Sequence, residues 1–128
     1  PLFLLVEIYL NYAEAVLRGG SGGTTTTALS LVNDLRRRAY NNNSGSAINE
    51  SNLTLDFILD ERGREFFFEA QRRTDLVRFG KLTTNSYIWQ WKGGTYNGTS
   101  VDNRFNIYPI PADDMGANPN LTQNQGYN

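Results

Sequence analysis

Three glutamates, Glu61, Glu65 and Glu69, recur at every fourth residue in a stretch that is dense in arginine. Residues four apart lie side by side on a helix. Paired carboxylates on one face can hydrolyse a glycosidic bond, one acting as acid and the other as base or nucleophile; Glu65 with Glu69 is the pair that would do it. The interleaved arginines supply a second reading. A planar guanidinium fork satisfies both oxygens of a carboxylate, so half-buried ion pairs can tie neighbouring helices together. The spacing matches Asp60 with Arg64, Glu61 with Arg64, Glu69 with Arg72 and Arg73, and Asp75 with Arg78. We read these charges as structural. A diiron centre is set aside because it takes Glu-x-x-His pairs and the chain has no histidine.

A second group with chemical potential is aromatic. Tyr87, Trp89, Trp91 and Tyr96 stand in a stretch rich in Gly, Asn and Thr. Pyranose rings present apolar C–H faces that stack on aromatic planes, while nearby amides bond the hydroxyls. These four residues are therefore the candidate ligand-binding set. The alternative role for Trp89 and Trp91 is to staple a long loop onto the helices, and both roles stay open at this point.

Composition removes several classes. Twelve basic residues nearly balance thirteen acidic ones, and the only basic run is Arg36-Arg37-Arg38. That is no electrostatic footprint for a phosphate backbone, so no nucleic-acid partner is expected. Without cysteine or histidine there is no disulfide, thiolate site or imidazole base. No metal and no cofactor are expected. No apolar run reaches the ~20 residues of a membrane span, and Pro1 to Val6 lacks the basic start of a signal peptide. The chain is expected to start inside a helix, as a fragment whose upstream half and export signal lie elsewhere.

The elements that must position these groups are mostly helical. From Leu2 to Arg18, Leu5, Ile8, Tyr9, Tyr12, Ala13, Val16 and Leu17 recur at helical spacing, opposite Glu7, Asn11, Glu14 and Arg18. Gly19-Gly20 ends that helix, and Thr24 to Thr27 offer cap hydroxyls for a second one carrying Ala28, Leu29, Val32, Leu35 and Ala39. A helical hairpin over residues 2–40 results. After a polar loop, Thr54 or Asn52 caps a long or broken helix over 55–79 in which Phe66 and Phe67 pack in the core and Gly63 permits close approach. Residues 80–128 form a loop-rich segment, since Tyr108-Pro109-Ile110-Pro111 fits neither helix nor central strand. Its end is expected to fray. The fold class is thus mostly α: tetratricopeptide-like helical pairs, long irregular loops and an irregular C-terminal segment.

The segment from Ile58-Leu59-Asp60-Glu61-Arg62 through Glu69-Ala70-Gln71-Arg72-Arg73-Thr74-Asp75-Leu76-Val77-Arg78-Phe79-Gly80-Lys81 resembles the central C-terminal motif of the SusD/RagB family. In matching order come Glu7 to Ala15, the Leu31 to Ala39 helix, Tyr108-Pro109-Ile110-Pro111, and Asn118 to Tyr127. The likeness spans nearly the whole chain and makes residues 1–128 a C-terminal SusD/RagB-like domain. It implies a surface-exposed outer-membrane lipoprotein without enzymatic activity. Such a protein binds oligosaccharide or polysaccharide and delivers it to a SusC-like, TonB-dependent transporter. Membrane attachment would come from an N-terminal lipid outside this chain. Arg62, Glu65, Glu69, Arg72 and Asp75 carry over as fold-holding residues only. The reading from another class is a helical-repeat module that binds a protein or peptide on its concave face.

Overall fold

The computed structural model describes residues 4–127, whose regular elements are all helical, with no strand among them. The expected helix start at Leu2 and Phe3 lies outside them. The chain divides into two compact units, Pro1–Arg72 and Arg73–Asn128.

In the first unit, α1 (Leu5–Leu17) and α2 (Thr25–Ala39) form a hairpin, and α3 (Leu55–Glu65) packs against α1. Helices joined by so short a link run antiparallel. The link is shaped by glycine: Gly19 sits at φ +84, and a Cβ on Gly20 would lie 2.8 Å from the Ala15 carbonyl oxygen. Thr24 caps α2 by accepting the Thr27 N–H at 3.1 Å, and its own N–H donates to Tyr12 Oη. Thr54 caps α3 in the same way through the Phe57 N–H. Each such cap stabilises a helix by about 1 kcal/mol.

The core of this unit is made by Val6, Leu10 and Ala13 of α1, Ala28, Val32 and Leu35 of α2, and Ile58, Leu59 and Phe66 from the α3 region. The buried face of α1 is therefore rotated from the expected one, since Leu5 and Ile8 are exposed. Much of α1 is apolar around its circumference, so periodicity alone offers two faces. Ala13 and Ala28 decide between them because they have the least bulk between packed helices. The polar link between α2 and α3 is pinned by Asn33, whose amide both accepts from the Ile48 N–H at 2.8 Å and donates to its carbonyl at 3.0 Å.

After α3 the chain turns through residues 66–71 before α4 (Arg72–Arg78). Phe68 and Ala70 sit at φ 64 and 59, a left-handed conformation that side chains resist. Phe66 is in the core as expected, but Phe67 is 72% and Phe68 93% exposed. The helix breaks before its periodicity can carry Phe67 inward.

The second unit has α4 from Arg73 onward, a long irregular run and α5 (Ala112–Ala117). Its order comes from polar side chains bonded to backbone. The Gln123 amide pairs reciprocally with the Ile110 N–H and carbonyl at 2.8 and 2.9 Å. Asn124 Nδ2 donates to the Tyr108 carbonyl, and Tyr127 Oη donates to those of Arg104 and Ile107. The tail is thus tied down as far as Tyr127, against the expected fraying.

Candidate functional site

The acidic residues of α3 are separated rather than joined into one site. Glu61 Oε2 receives Arg36 Nη1 from α2 at 3.1 Å and Arg64 Nη2 at 2.5 Å. Glu65 pairs with Arg38. Glu69 lies beyond the end of α3, on the exposed turn. Asp60 sits 3.8 Å from Arg72 rather than against Arg64, and Asp75 pairs with Arg78 at 2.7 Å. Arg36 also donates through Nε to the Ser46 carbonyl at 2.6 Å. Arg62 is buried, with Nη1 on Asn11 Oδ1 at 2.8 Å and its guanidinium over the Phe66 ring. A Cβ on Gly63 would strike the Arg72 guanidinium at 2.8 Å, so the close approach that glycine permits here is by Arg72. Arg36 and Arg38 cross from α2 to the carboxylates of α3 as ion-pair tethers and Arg62 reaches from α3 to α1, whereas Arg64 and Arg78 pair within their own helices.

The aromatic candidates resolve into two pairs. Tyr87 and Trp89 stand with ring centroids 6.3 Å apart, and Trp91 meets Tyr96 edge-on at 5.7 Å and 87°. Trp91 occupies φ 68 at the start of a 3-10 turn over Lys92–Gly94. That geometry throws its ring outward, leaving 63% of the residue exposed. Gly98 makes the tight return possible, because a Cβ there would lie 2.3 Å from the Trp89 carbonyl oxygen.

Lys92 organises this loop from inside. The residue is only 3% exposed. Its Nζ donates to the carbonyls of Lys81, Thr84 and Tyr87 at 3.2, 2.5 and 2.7 Å, and lies 4.7 Å from the Trp89 ring centre. Burial lowers its ammonium below the usual lysine range. Thr83 is a second hub: its carbonyl accepts the Val101 N–H, and its hydroxyl donates to Asn103 Oδ1 at 2.8 Å.

Trp89, 39% exposed, lines a cleft of about 230 Å³ together with Arg73, Lys92, Phe105, Tyr108 and Tyr127. Arg73 braces the wall, its guanidinium 3.8 Å over the Tyr108 ring and its Nη2 donating to the Phe105 carbonyl at 2.6 Å. Of the four sequence candidates, Trp89 alone lines this cleft, while Trp91 and Tyr96 form a separate exposed shelf. Phe105, Tyr108 and Tyr127 were not among the candidates. They come from separated segments, and their only signal was the Tyr108-Pro109-Ile110-Pro111 run, read as backbone. Among the described residues no cluster of acidic side chains could hold a metal ion, and no helix is long and apolar enough to cross a membrane.

Comparison with known proteins gives a consistent result. A model of the SusD family matches residues 1–127. The starch-binding protein SusD of Bacteroides thetaiotaomicron is 47% identical over 127 residues, which cover 99% of this chain and 21% of that protein. A SusD-like protein of Bacteroides ovatus is 33% identical over 93 residues, covering 70% of this chain and 16% of its relative. The crystal structure of a SusD superfamily protein from Bacteroides vulgatus matches with a TM-score of 0.67 at 32% identity, over 97% of this chain and 27% of that one. The chain thus spans a minor share of the length of each relative. Helical order, the arginine-tethered α3 and the match over residues 1–127 agree: the chain belongs to the SusD family.

Proposed function

We propose that this chain is the C-terminal part of a non-catalytic glycan-binding protein. It would be held at the outer-membrane surface by an N-terminal lipid and deliver its cargo to a SusC-like, TonB-dependent transporter. The observation that carries the reading is the likeness, across nearly the whole chain, to a protein named for binding starch. The chemistry of the second unit supports it. An outward tryptophan–tyrosine shelf and an aromatic cleft offer flat apolar faces of the kind that stack on pyranose rings. Lys92 and Arg73 are committed to backbone carbonyls and rings, so they hold these faces in place. The carboxylates of α3 are read as tethers for the same reason, and no bond is broken.

The test is titration calorimetry of the protein carrying this chain against soluble starch, mannan, xylan and polygalacturonate. Binding to at least one of them is expected. Loss of a stacked ring in Trp89→Ala or Trp91→Ala should weaken it about tenfold with the fold retained. Binding unchanged in both variants moves sugar contact away from these rings. No binding to any glycan favours the helical-repeat reading, with a protein or peptide as cargo.

A further inference from the structure

Next to the aromatic cleft is an open basin of about 530 Å³, lined by Asp102, Asn103, Arg104, Asn106 and Gln125. Ile107 lines both, so the two hollows adjoin. The size falls within the ~300–1,000 Å³ of small-molecule sites. Where the cleft is aromatic, the basin offers polar and apolar surface in about equal measure, as a sugar with hydroxyls and C–H faces requires.

Its walls are fixed from behind. Arg104 Nη1 donates to the Gly126 carbonyl at 2.9 Å, and the Arg104 stem lies so close to Gly126 that a Cβ there would sit 3.0 Å from it. Tyr127 Oη donates to the Arg104 carbonyl. Asp102 Oδ1 accepts the Arg104 N–H at 2.8 Å. Asn103 Oδ1 is taken by Thr83 and Asn106. These bonds leave a particular set of groups unsatisfied by the described residues: Asp102 Oδ2, the Asn103 Nδ2 amide and the whole Gln125 amide. A carboxylate oxygen that only accepts, beside amide N–H groups that only donate, is what a pair of neighbouring hydroxyls satisfies, since each hydroxyl donates once and accepts as well.

Charge narrows the ligand further. One carboxylate, Asp102, stands beside one guanidinium, Arg104, whose donor Nη1 and flat faces are already engaged by Gly126, Phe105 and Tyr127. The two charges cancel, so the lining carries no net charge with which to attract an anionic sugar, and a neutral one fits it without an electrostatic penalty.

We propose that this basin is a subsite for the hydroxyls of a neutral sugar, adjoining the aromatic cleft that takes a ring face. The proposal rests on the glycan-binding reading above and adds the position and the class of sugar. Gln125→Ala and Asp102→Asn test it without removing a bond that holds the fold, because Gln125 bonds no described residue through its side chain and Asn at 102 keeps the Oδ1 acceptor. The experiment is calorimetry with the four polysaccharides, joined to hydrogen-exchange mass spectrometry of peptides covering residues 102–107 and 123–127. A neutral polysaccharide should slow exchange in both peptides, and each variant should bind it about three- to tenfold more weakly. Asp102→Asn should also gain affinity for polygalacturonate, a response that a structural role for Asp102 would not give. A neutral glycan bound with no change in either peptide, or equally well by both variants, overturns the subsite while the glycan-binding reading stands. Binding of polygalacturonate alone also overturns it. Failure to bind any of the four overturns both.

Discussion

The two units reach order by different routes. Residues 4–72 are ordered by repeat spacing: capped helices bury Leu10, Val32, Ile58 and Leu59, and arginines cross between them to carboxylates. Residues 73–127 have two short helices, so most of their backbone groups lack a regular partner. Amides, hydroxyls and one ammonium supply the missing bonds, through Gln123, Asn124, Thr83 and Lys92. The difference teaches that a loop-rich surface can be as definite as a helical one when side chains take over the work of a hydrogen-bond ladder. It also implies different ways to fail. A helical core loses stability as a whole, whereas a polar web can be cut one strand at a time.

The largest effect should come from the helical core. Leu59→Ala leaves a cavity in a fully buried position and should cost about 2–5 kcal/mol in urea unfolding. Next comes the tether. Glu61→Ala strands Arg36 in a half-buried site and should cost about 3 kcal/mol, visible as a lowered melting temperature. An unchanged melting point would mean that the arginine finds solvent at once, and that α3 is held by packing alone.

Lys92→Met should be milder, about 1–3 kcal/mol, because three carbonyls lose their donor while the side-chain stem stays. The comparison predicts where the damage falls: faster amide exchange over residues 81–101 and none over α1 to α3. Faster exchange in both units would erase the distinction drawn here. Smallest, and of opposite sign, is Phe68→Gly. Its ring is exposed and its φ is positive, so glycine should stabilise the chain by a few tenths to about 1 kcal/mol in the same urea assay.

How much of this could be read in the sequence follows the same division. The helices and their caps were legible because Thr24 and Thr54 stand before runs with period 3.6, and the motif around Glu61 and Arg72 carried the family likeness. The buried face of α1 was not, since an almost wholly apolar helix lets its neighbours choose. Phe67 was misplaced because the left-handed corner at Phe68 and Ala70 has no glycine to announce it. In the second unit the aromatic loop was found by composition, yet its partners Phe105, Tyr108 and Tyr127 were not. Bonds such as Gln123 to Ile110 join residues with no periodic relation, and no local pattern records them.

Lys92 has one more consequence. The chain holds only two lysines, Lys81 and Lys92. Amine-reactive reagents need an accessible nitrogen, and the Lys92 nitrogen, buried and turned onto three carbonyls, is out of reach while the loop is intact. Acetylation by a mild acylating agent should therefore mark Lys81 first, with modification of Lys92 waiting on the opening of the loop. The ratio of the two labels becomes a built-in gauge, readable by mass spectrometry without any engineered probe, of whether the aromatic surface is assembled.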